Sequence, residues 1–446
     1  MLFTRRIEKE LHDWQNRKTR KPLLIKGARQ VGKTSVILKF AEEKFTQLVY
    51  LDLDNIETSS LFGKVTSLGE FEELVELKLK QKLNNGNTLV FIDEVQNCPN
   101  LIQLLRAFYE QRPGLHVIAA GSLLEVFIQR QGFQMPVGRV EYMYMYPLDF
   151  FEFLAAKGES KLLQILKSTS GQGNISSIHQ VAISEFETYI KVGGMPEAVK
   201  AFVSNGGFGA ETDRVYSSLL SSFAEDVFKY SDNVDPRILQ LIINQADNYA
   251  GSLFKYENFG NSQYKGRDVS EAIQLLEQAL ILRQVQAVSS ARMPLQAKPR
   301  RAKKLLMLDV GLVSYKSGIQ LDKMNKNDLH SAYTGRILEQ AVGQGITALS
   351  SLTQNSLYYW AREKPAGSAE VDFAFTYNGK VIGIEVKAGI VSKLRSIHSL
   401  AESNSQAKLV RVYSGKFQKQ TFSVNSKTHE LLSIPFYLIP RLLELI

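Results

Sequence analysis

The sequence predicts an α/β protein of several domains, with a parallel sheet over its first third and a second α/β domain at its end. Three observations carry this. An apolar run, Pro22 to Ile25, enters the loop Gly27-Ala28-Arg29-Gln30-Val31-Gly32-Lys33-Thr34 and leaves it as an amphipathic stretch, Ser35 to Glu43. Four more strand-like runs follow at Leu48–Leu53, Thr88–Ile92, Val117–Ala120 and Tyr142–Tyr146. Helical stretches separate the first three, as in a doubly wound sheet. Near the C-terminus two alternating runs flank Asn378-Gly379, the strongest short hairpin signal.

The first loop matches G-x-x-x-x-G-K-[ST] between a strand and a helix, the context a P-loop requires. Backbone N–H groups of Gly27 to Ser35 would turn inward around phosphates, aided by the positive end of the following helix. Lys33 would bridge the β- and γ-phosphate oxygens, and the Thr34 hydroxyl would hold Mg²⁺. Binding of ATP with Mg²⁺ is therefore expected. The run Leu89-Val-Phe-Ile-Asp93-Glu94 reads as a strand buried on both faces that ends in two carboxylates, at the sheet edge where ligands bind. Asp93 would orient Mg²⁺, and Glu94 would polarise the water attacking the γ-phosphate. Ser122, after the strand ending Ala119-Ala120-Gly121, reads either as a contact to the γ-phosphate or attacking water, or as a plain strand-to-helix turn. Arg139 reads as a charge sensor, as an arginine finger for a neighbouring subunit of a homo-oligomer, or as a surface ion pair.

Composition narrows the class. The chain has 446 residues, 44% hydrophobic and 22% charged, which is ordinary for globular domains and argues against long disorder. No apolar run reaches the roughly 18 to 20 residues of a membrane span. The opening MLFTRRIEKELHDW lacks the apolar core of a secretory signal. A single cysteine, Cys98, excludes an intramolecular disulfide framework and a multi-cysteine zinc site. A cytoplasmic protein with no membrane partner is the expectation. A net charge of +9 favours anionic partners.

The paired loop and Asp93-Glu94, the Gly-Ser strand end, Gly138-Arg139 before Pro147, and Gly193-Gly194-Met195-Pro196 resemble prokaryotic AAA-type ATPases related to the STAND group. The resemblance spans about residues 15–225. It implies an ATPase domain over 1–155 and a helical lid over 156–230, in which the Gly-x-Pro element, with Pro196, senses nucleotide state. Taken alone, Gly-Gly-Met-Pro is a helix-ending turn. Ser168 to Ser177 is expected to be a surface loop.

From Pro236 the pattern resembles a winged helix-turn-helix over 231–320, with helices near Arg237–Ala250 and Val269–Ala279, then a hairpin. Its connection, Arg292 to Lys304, holds six basic residues and no acidic one. Such a wing would neutralise phosphates of nucleic acid, DNA rather than RNA; otherwise it is a solvated loop on a protein-docking module. The helix Val269-Ser-Glu-Ala-Ile-Gln-Leu-Leu-Glu-Gln is acidic, which argues against base-specific readout.

If Asn378-Gly379 forms the turn, Tyr377 pairs with Lys380, which sets Asp372 opposite Glu385 and Glu370 opposite Lys387. Alternation then projects all four to one face. Like charges directly opposed destabilise a hairpin unless a cation intervenes, so a Mg²⁺ site is expected there, with Lys387 positioning a nucleophile; the alternative is an exposed hairpin face with cross-strand Glu–Lys and other ion pairs. This D…E-x-K pattern resembles the PD-(D/E)xK, restriction-endonuclease-like superfamily over 326–446. The resemblance implies a further metal-binding glutamate from the preceding helix, where Glu339 fits, and a helix near Ser392–Glu402.

The whole is expected to be an ATPase whose nucleotide state governs a nucleic-acid-acting, Mg²⁺-dependent nuclease domain. The alternative is a STAND-like switch whose nuclease-like domain binds without cutting. Nothing between the strands reads as the aromatic-Gly pore loop of a protein-remodelling motor.

Overall fold

The computed structural model describes residues 3–124, 126–127, 135–136, 138–168, 178–229, 234–318, 332–349, 356–363, 369–390 and 394–446. The chain forms two compact units, one built on Met1–Tyr146 and the other on Pro147–Glu277, Ile281–Leu349 and Asn355–Ile446.

In the first unit, α1 (Ile7–Asn16) precedes β1 (Leu23–Lys26), α2 (Lys33–Lys44), β2 (Gln47–Asp52), α3 (Ile56–Phe62), α4 (Leu68–Leu79), β3 (Thr88–Asp93), α5 (Pro99–Gln111), β4 (His116–Gly121) and β5 (Glu141–Tyr144). The strands make one parallel sheet in the order β2-β3-β4-β1-β5. Every residue of β1, β3 and β4 is buried, as continuous apolar runs between helices require. Val49, Val90, Ile92, Phe71 and Phe108 lie in the core on one side. Helix starts are set by side chains: Asn55 accepts from the Thr58 N–H, Ser67 from the Glu70 N–H, and Pro99 occupies the first turn of α5. All five expected strands form, each with ends within two residues of the expected ones.

The second unit begins with helices α6 (Phe150–Lys157), α7 (Ser160–Ser168), α8 (His179–Val192), α9 (Pro196–Ser204) and α10 (Ala210–Phe228). Asp149 and Glu152 cap α6 reciprocally, and Gly158 at φ 86° ends it. The surface loop expected over Ser168 to Ser177 lies, after Ser168, outside the described residues. Then follow α11 (Pro236–Tyr249), β6 (Ser252–Phe254), α12 (Gly266–Gln278), β7 (Leu282–Val288), β8 (Lys303–Met307), α13 (Val310–Lys316) and α14 (Ala332–Thr347). The last part holds β9 (Tyr358–Ala361), β10 (Glu370–Tyr377), β11 (Lys380–Lys387), α15 (Arg395–Ser403), β12 (Lys408–Tyr413), β13 (Gln418–Val424) and β14 (Lys427–Pro435).

Among the described residues nine strands of this unit form one mixed sheet, ordered β13-β14-β12-β11-β10-β9-β7-β8-β6. The three strands at its end, β7, β8 and β6, are antiparallel neighbours. Strand β7 also pairs in parallel with β9 through Gln286↔Tyr358 and Val288↔Trp360. The segments expected as separate domains over 231–320 and 326–446 therefore share one sheet, while the expected boundary lies outside the described residues. Strand β6, with three residues, is too short to show a period in the sequence.

Candidate functional site

The nucleotide-loop geometry begins with Gly32, whose φ of 96° is left-handed and lets the loop turn into α2. Gly27 answers a different need: a Cβ there would stand 2.5 Å from the Met145 carbonyl oxygen. Arg5, from the residues before α1, donates to the Val31 carbonyl at 2.8 Å and the Tyr146 carbonyl at 2.6 Å. This buried guanidinium braces the loop, and no motif in the sequence marks it. Lys33 is buried and donates to the Gly27 and Ala28 carbonyls at 3.0 and 3.1 Å. Gln30 adopts a φ of 64°. Arg29 faces Asp54 at 3.9 Å, and Ser35 lies exposed in the first turn of α2.

At the sheet edge the Thr34 hydroxyl donates to Asp93 Oδ2 at 2.6 Å. These two hard oxygen donors converge on one spot, which is the chemistry a Mg²⁺ ion takes. Burial raises the Asp93 pKa, opposed by the Thr34 hydrogen bond and by Lys33. Burial, followed by the Asp93 and Asp52 charges, pushes the neighbouring Tyr50 hydroxyl up to about 12. Glu94 stands at φ 49°, and its Oε2 accepts from Gln96 Nε2 at 2.6 Å, from Ser122 Oγ at 3.1 Å and from the Ser122 N–H at 3.3 Å. Ser122 thus acts on the Glu94 carboxylate. Gln96 holds this carboxylate, a contact that its place two residues on in Asp93-Glu94-Val95-Gln96 allows but does not mark.

Arg139 Nε pairs with Glu110 at 2.9 Å, and Glu110 also receives Arg106. Of the three readings of Arg139, the ion pair with a carboxylate of its own domain is the contact present in this chain. Pro196 opens α9 in the second unit. Before it Gly193, at φ 68°, ends α8, and a Cβ there would lie 1.9 Å from Asp309 Oδ1. The Gly194 N–H donates to Asp309 Oδ2 at 2.7 Å, and its carbonyl accepts from the Leu148 N–H at 2.7 Å. The Gly-Gly-Met-Pro element is thus a helix-ending turn pinned by a buried aspartate.

The C-terminal hairpin has the expected register, from Tyr377↔Lys380 through Phe375↔Ile382 to Phe373↔Ile384. Beyond that pairing the Asp372 carboxylate accepts the Val386 N–H at 2.8 Å, and β10 shifts register against β9 between Val371 and Ala374. Asp372, Glu385, Glu339 and Lys387 do come together. Burial and then the Asp372 charge raise the pKa of both Glu339 and Glu385. Lys387 Nζ lies 2.6 Å from Glu385 Oε1, while Glu385 Oε2 is buried without a hydrogen-bond partner.

A lysine not assigned to this site joins it. Lys304 Nζ, from β8, lies 2.6 Å from Glu339 Oε2, 3.3 Å from Asp372 Oδ1 and 3.9 Å from Glu370 Oε1, with its side chain 2% exposed. Burial would lower its pKa, but the Asp372, Glu339 and Glu370 carboxylates raise it. Among the described residues no group of three or more His, Cys, Asp or Glu is arranged to hold a metal ion. The expected Mg²⁺ ligands Glu339, Asp372 and Glu385 therefore do not fit a divalent ion as they stand, because an ammonium sits among them. Of the six basic residues of the expected wing, three are engaged within the fold. Lys304 is buried, Lys303 bonds to Tyr256 and Gln284, and Arg301 donates to the Ala361 and Arg362 carbonyls. Arg292, Lys298 and Arg300 remain exposed, with Lys298 3.0 Å from Glu363.

Residues 19–154 match the AAA domain family. Residues 183–323 and 334–437 match two domains of unknown function, DUF8612 and DUF4143. A Walker-type ATPase of Pyrococcus abyssi is similar in structure, at 17% identity and TM-score 0.44, over 71% of this chain and 96% of that one. The Aeropyrum pernix ORC1 protein in complex with DNA is similar at 12% identity and TM-score 0.32, over 71% and 93%. The Thermotoga maritima RuvB Holliday junction branch migration motor is similar at 17% identity and TM-score 0.28, over 64% and 90%. No curated protein matches the chain. The AAA match falls on the parallel sheet and its loop, and defines the first unit as a P-loop ATPase domain of the AAA type. Among the described residues no helix is long and apolar enough to cross a membrane.

Proposed function

We propose that this protein hydrolyses ATP at Lys33, Thr34, Asp93 and Glu94, and that its nucleotide state governs a C-terminal nuclease-like domain whose partner is nucleic acid. The observation carrying the first half is the Glu94 carboxylate, held by Gln96 and Ser122 next to the Thr34–Asp93 pair. Lys33 would grip the phosphates, and Thr34 with Asp93 would hold Mg²⁺, which when bound neutralises phosphate charge. Glu94 would accept a proton from the attacking water, with Gln96 and Ser122 fixing the carboxylate that takes it.

Residues 231–320 are read as a winged helix, supported by the order helix, short strand, helix, strand, strand among the described residues and by the antiparallel set β7-β8-β6. The net charge of +9 and the exposed Arg292 and Arg300 support an anionic partner, DNA rather than RNA. For the C-terminal domain, a STAND-like switch that binds without cutting is favoured over a nuclease by the ammonium of Lys304 among the carboxylates. The test is incubation with plasmid and ATP in Mg²⁺ or Mn²⁺, scoring phosphate release and strand breaks together. Phosphate release that DNA stimulates, with plasmid left intact, is expected. No phosphate release would overturn the ATPase assignment, and nicking would restore the nuclease.

A further inference from the structure

We propose that Lys304 is the built-in cation of the C-terminal carboxylate cluster, occupying the position a divalent metal would take. The inference rests on the cluster alone and is independent of ATP hydrolysis. Its four carboxylates come from three elements: Glu339 on α14, Glu370 and Asp372 on β10, and Glu385 on β11. Left alone, four buried or half-buried anions so close would repel strongly and demand a counter-charge.

Two ammonium groups supply it. Lys387 is taken by Glu385 at 2.6 Å, beside it on the same strand. Lys304 reaches three of the four carboxylates, on two different elements, which is the bridging role of a metal ion. It arrives from β8, across the sheet from β10 with β7 and β9 between them. Both oxygens of Asp372 are engaged, Oδ1 by Lys304 and Oδ2 by the Val386 N–H. The ammonium also lies over the Phe373 ring, with Nζ 5.1 Å from its centroid, and Lys304 is buried.

The lysine also ties two regions together, because β8 falls in residues 183–323 and the carboxylates in residues 334–437. Next to it on α14, Gln340 accepts the Met307 N–H at 2.9 Å and donates to the Met307 carbonyl at 2.8 Å. Gln344, one turn on, accepts the Val310 N–H at 2.7 Å. One face of α14 therefore grips β8 and the start of α13, and the Lys304–Glu339 pair is the charged end of that grip. With Lys304 in place there is no vacancy for Mg²⁺. Without it, Glu339, Asp372 and the unpartnered Glu385 Oε2 would present hard oxygens to such an ion.

Mn²⁺ titration of the full chain, followed by electron paramagnetic resonance without nucleotide, tests this. Wild type, Asp372→Asn, Lys304→Met and Lys304→Met/Asp372→Asn are compared. Wild type and Asp372→Asn are expected to bind Mn²⁺ alike, so that nothing is held at the cluster. Lys304→Met should gain a saturable Mn²⁺ that the added Asp372→Asn removes, and Mn²⁺ should raise the Tm of Lys304→Met only. Should Lys304→Met be insoluble, Lys304→Met/Glu370→Gln, which removes a carboxylate with the ammonium, takes its place. A wild-type Mn²⁺ site lost in Asp372→Asn would overturn the proposal, as would a folded Lys304 variant that gains none.

Discussion

Replacing Asp309 by asparagine should change how the stability of the second unit depends on pH. The Asp309 carboxylate is wholly buried and accepts from the Gly194 N–H, the Gly311 N–H and Gln344 Nε2, at 2.7, 2.9 and 2.9 Å. Burial pushes its pKa up to about 6, against the opposing effect of these hydrogen bonds. In the unfolded chain an aspartate titrates near 3.9. Between those values the folded state binds the more protons, so this group's contribution is most favourable at low pH and is lost as pH rises through the folded pKa. Linkage from about pH 5 to about pH 7.5 gives a loss of roughly 1.4 kcal/mol. Asparagine does not titrate and lacks this slope. It also turns one acceptor into a donor that faces a buried N–H, at a cost of about 1–3 kcal/mol. Asp309→Asn should therefore be the less stable protein at pH 5, with the gap narrowing by roughly 1.4 kcal/mol by pH 7.5. Urea unfolding of both proteins at the two pH values measures that gap, and taking the difference cancels other titrating groups. A gap that stays constant or widens with pH would refute the reasoning.

Gln96→Ala should lower ATP turnover by roughly 10- to 100-fold with little change in nucleotide affinity, since a lost charge-assisted bond is worth about 1.5–3 kcal/mol. Steady-state kcat and KM check this, and an unchanged kcat would remove Gln96 from the positioning role. Charge reversal of the exposed Arg292 and Arg300 should weaken DNA binding and flatten its salt slope by up to ~0.9 per lost contact. ATP binding should be untouched. An unchanged slope would show that this loop does not face nucleic acid. Charge reversal of Lys304 should instead cost soluble, folded protein, because it adds an anion to a cluster of four.

The parallel sheet and its loop were legible because their signals are local. The glycine spacing, the all-apolar run Leu89 to Ile92 and the carboxylates after it lie within a few residues of one another. The hairpin register was legible for the same reason, since Asn378-Gly379 alone fixes it. What escaped notice depends on residues distant in sequence. Arg5 reaches Tyr146, Asp309 reaches Gly194, and Lys304 reaches Glu339 and Asp372. A lysine within a basic run reads as solvated charge, and only the pairing of β8 with β7, and of β7 with β9, brings Lys304 to the carboxylates. Alternation along β8 could have hinted at it: Lys303 and Lys304 are adjacent, so one of them had to face inward.

ATP turnover by Glu94→Gln and Lys33→Ala beside wild type tests the central claim most directly. Wild type should release phosphate. Lys33→Ala should lose nucleotide binding, because the lysine that grips phosphate is gone. Glu94→Gln should keep that binding and lose turnover, by the 10²–10⁴-fold or so that a positioned general base supplies. Wild-type rates in Glu94→Gln would contradict the account, because the carboxylate that Gln96 and Ser122 hold would then have no part in hydrolysis.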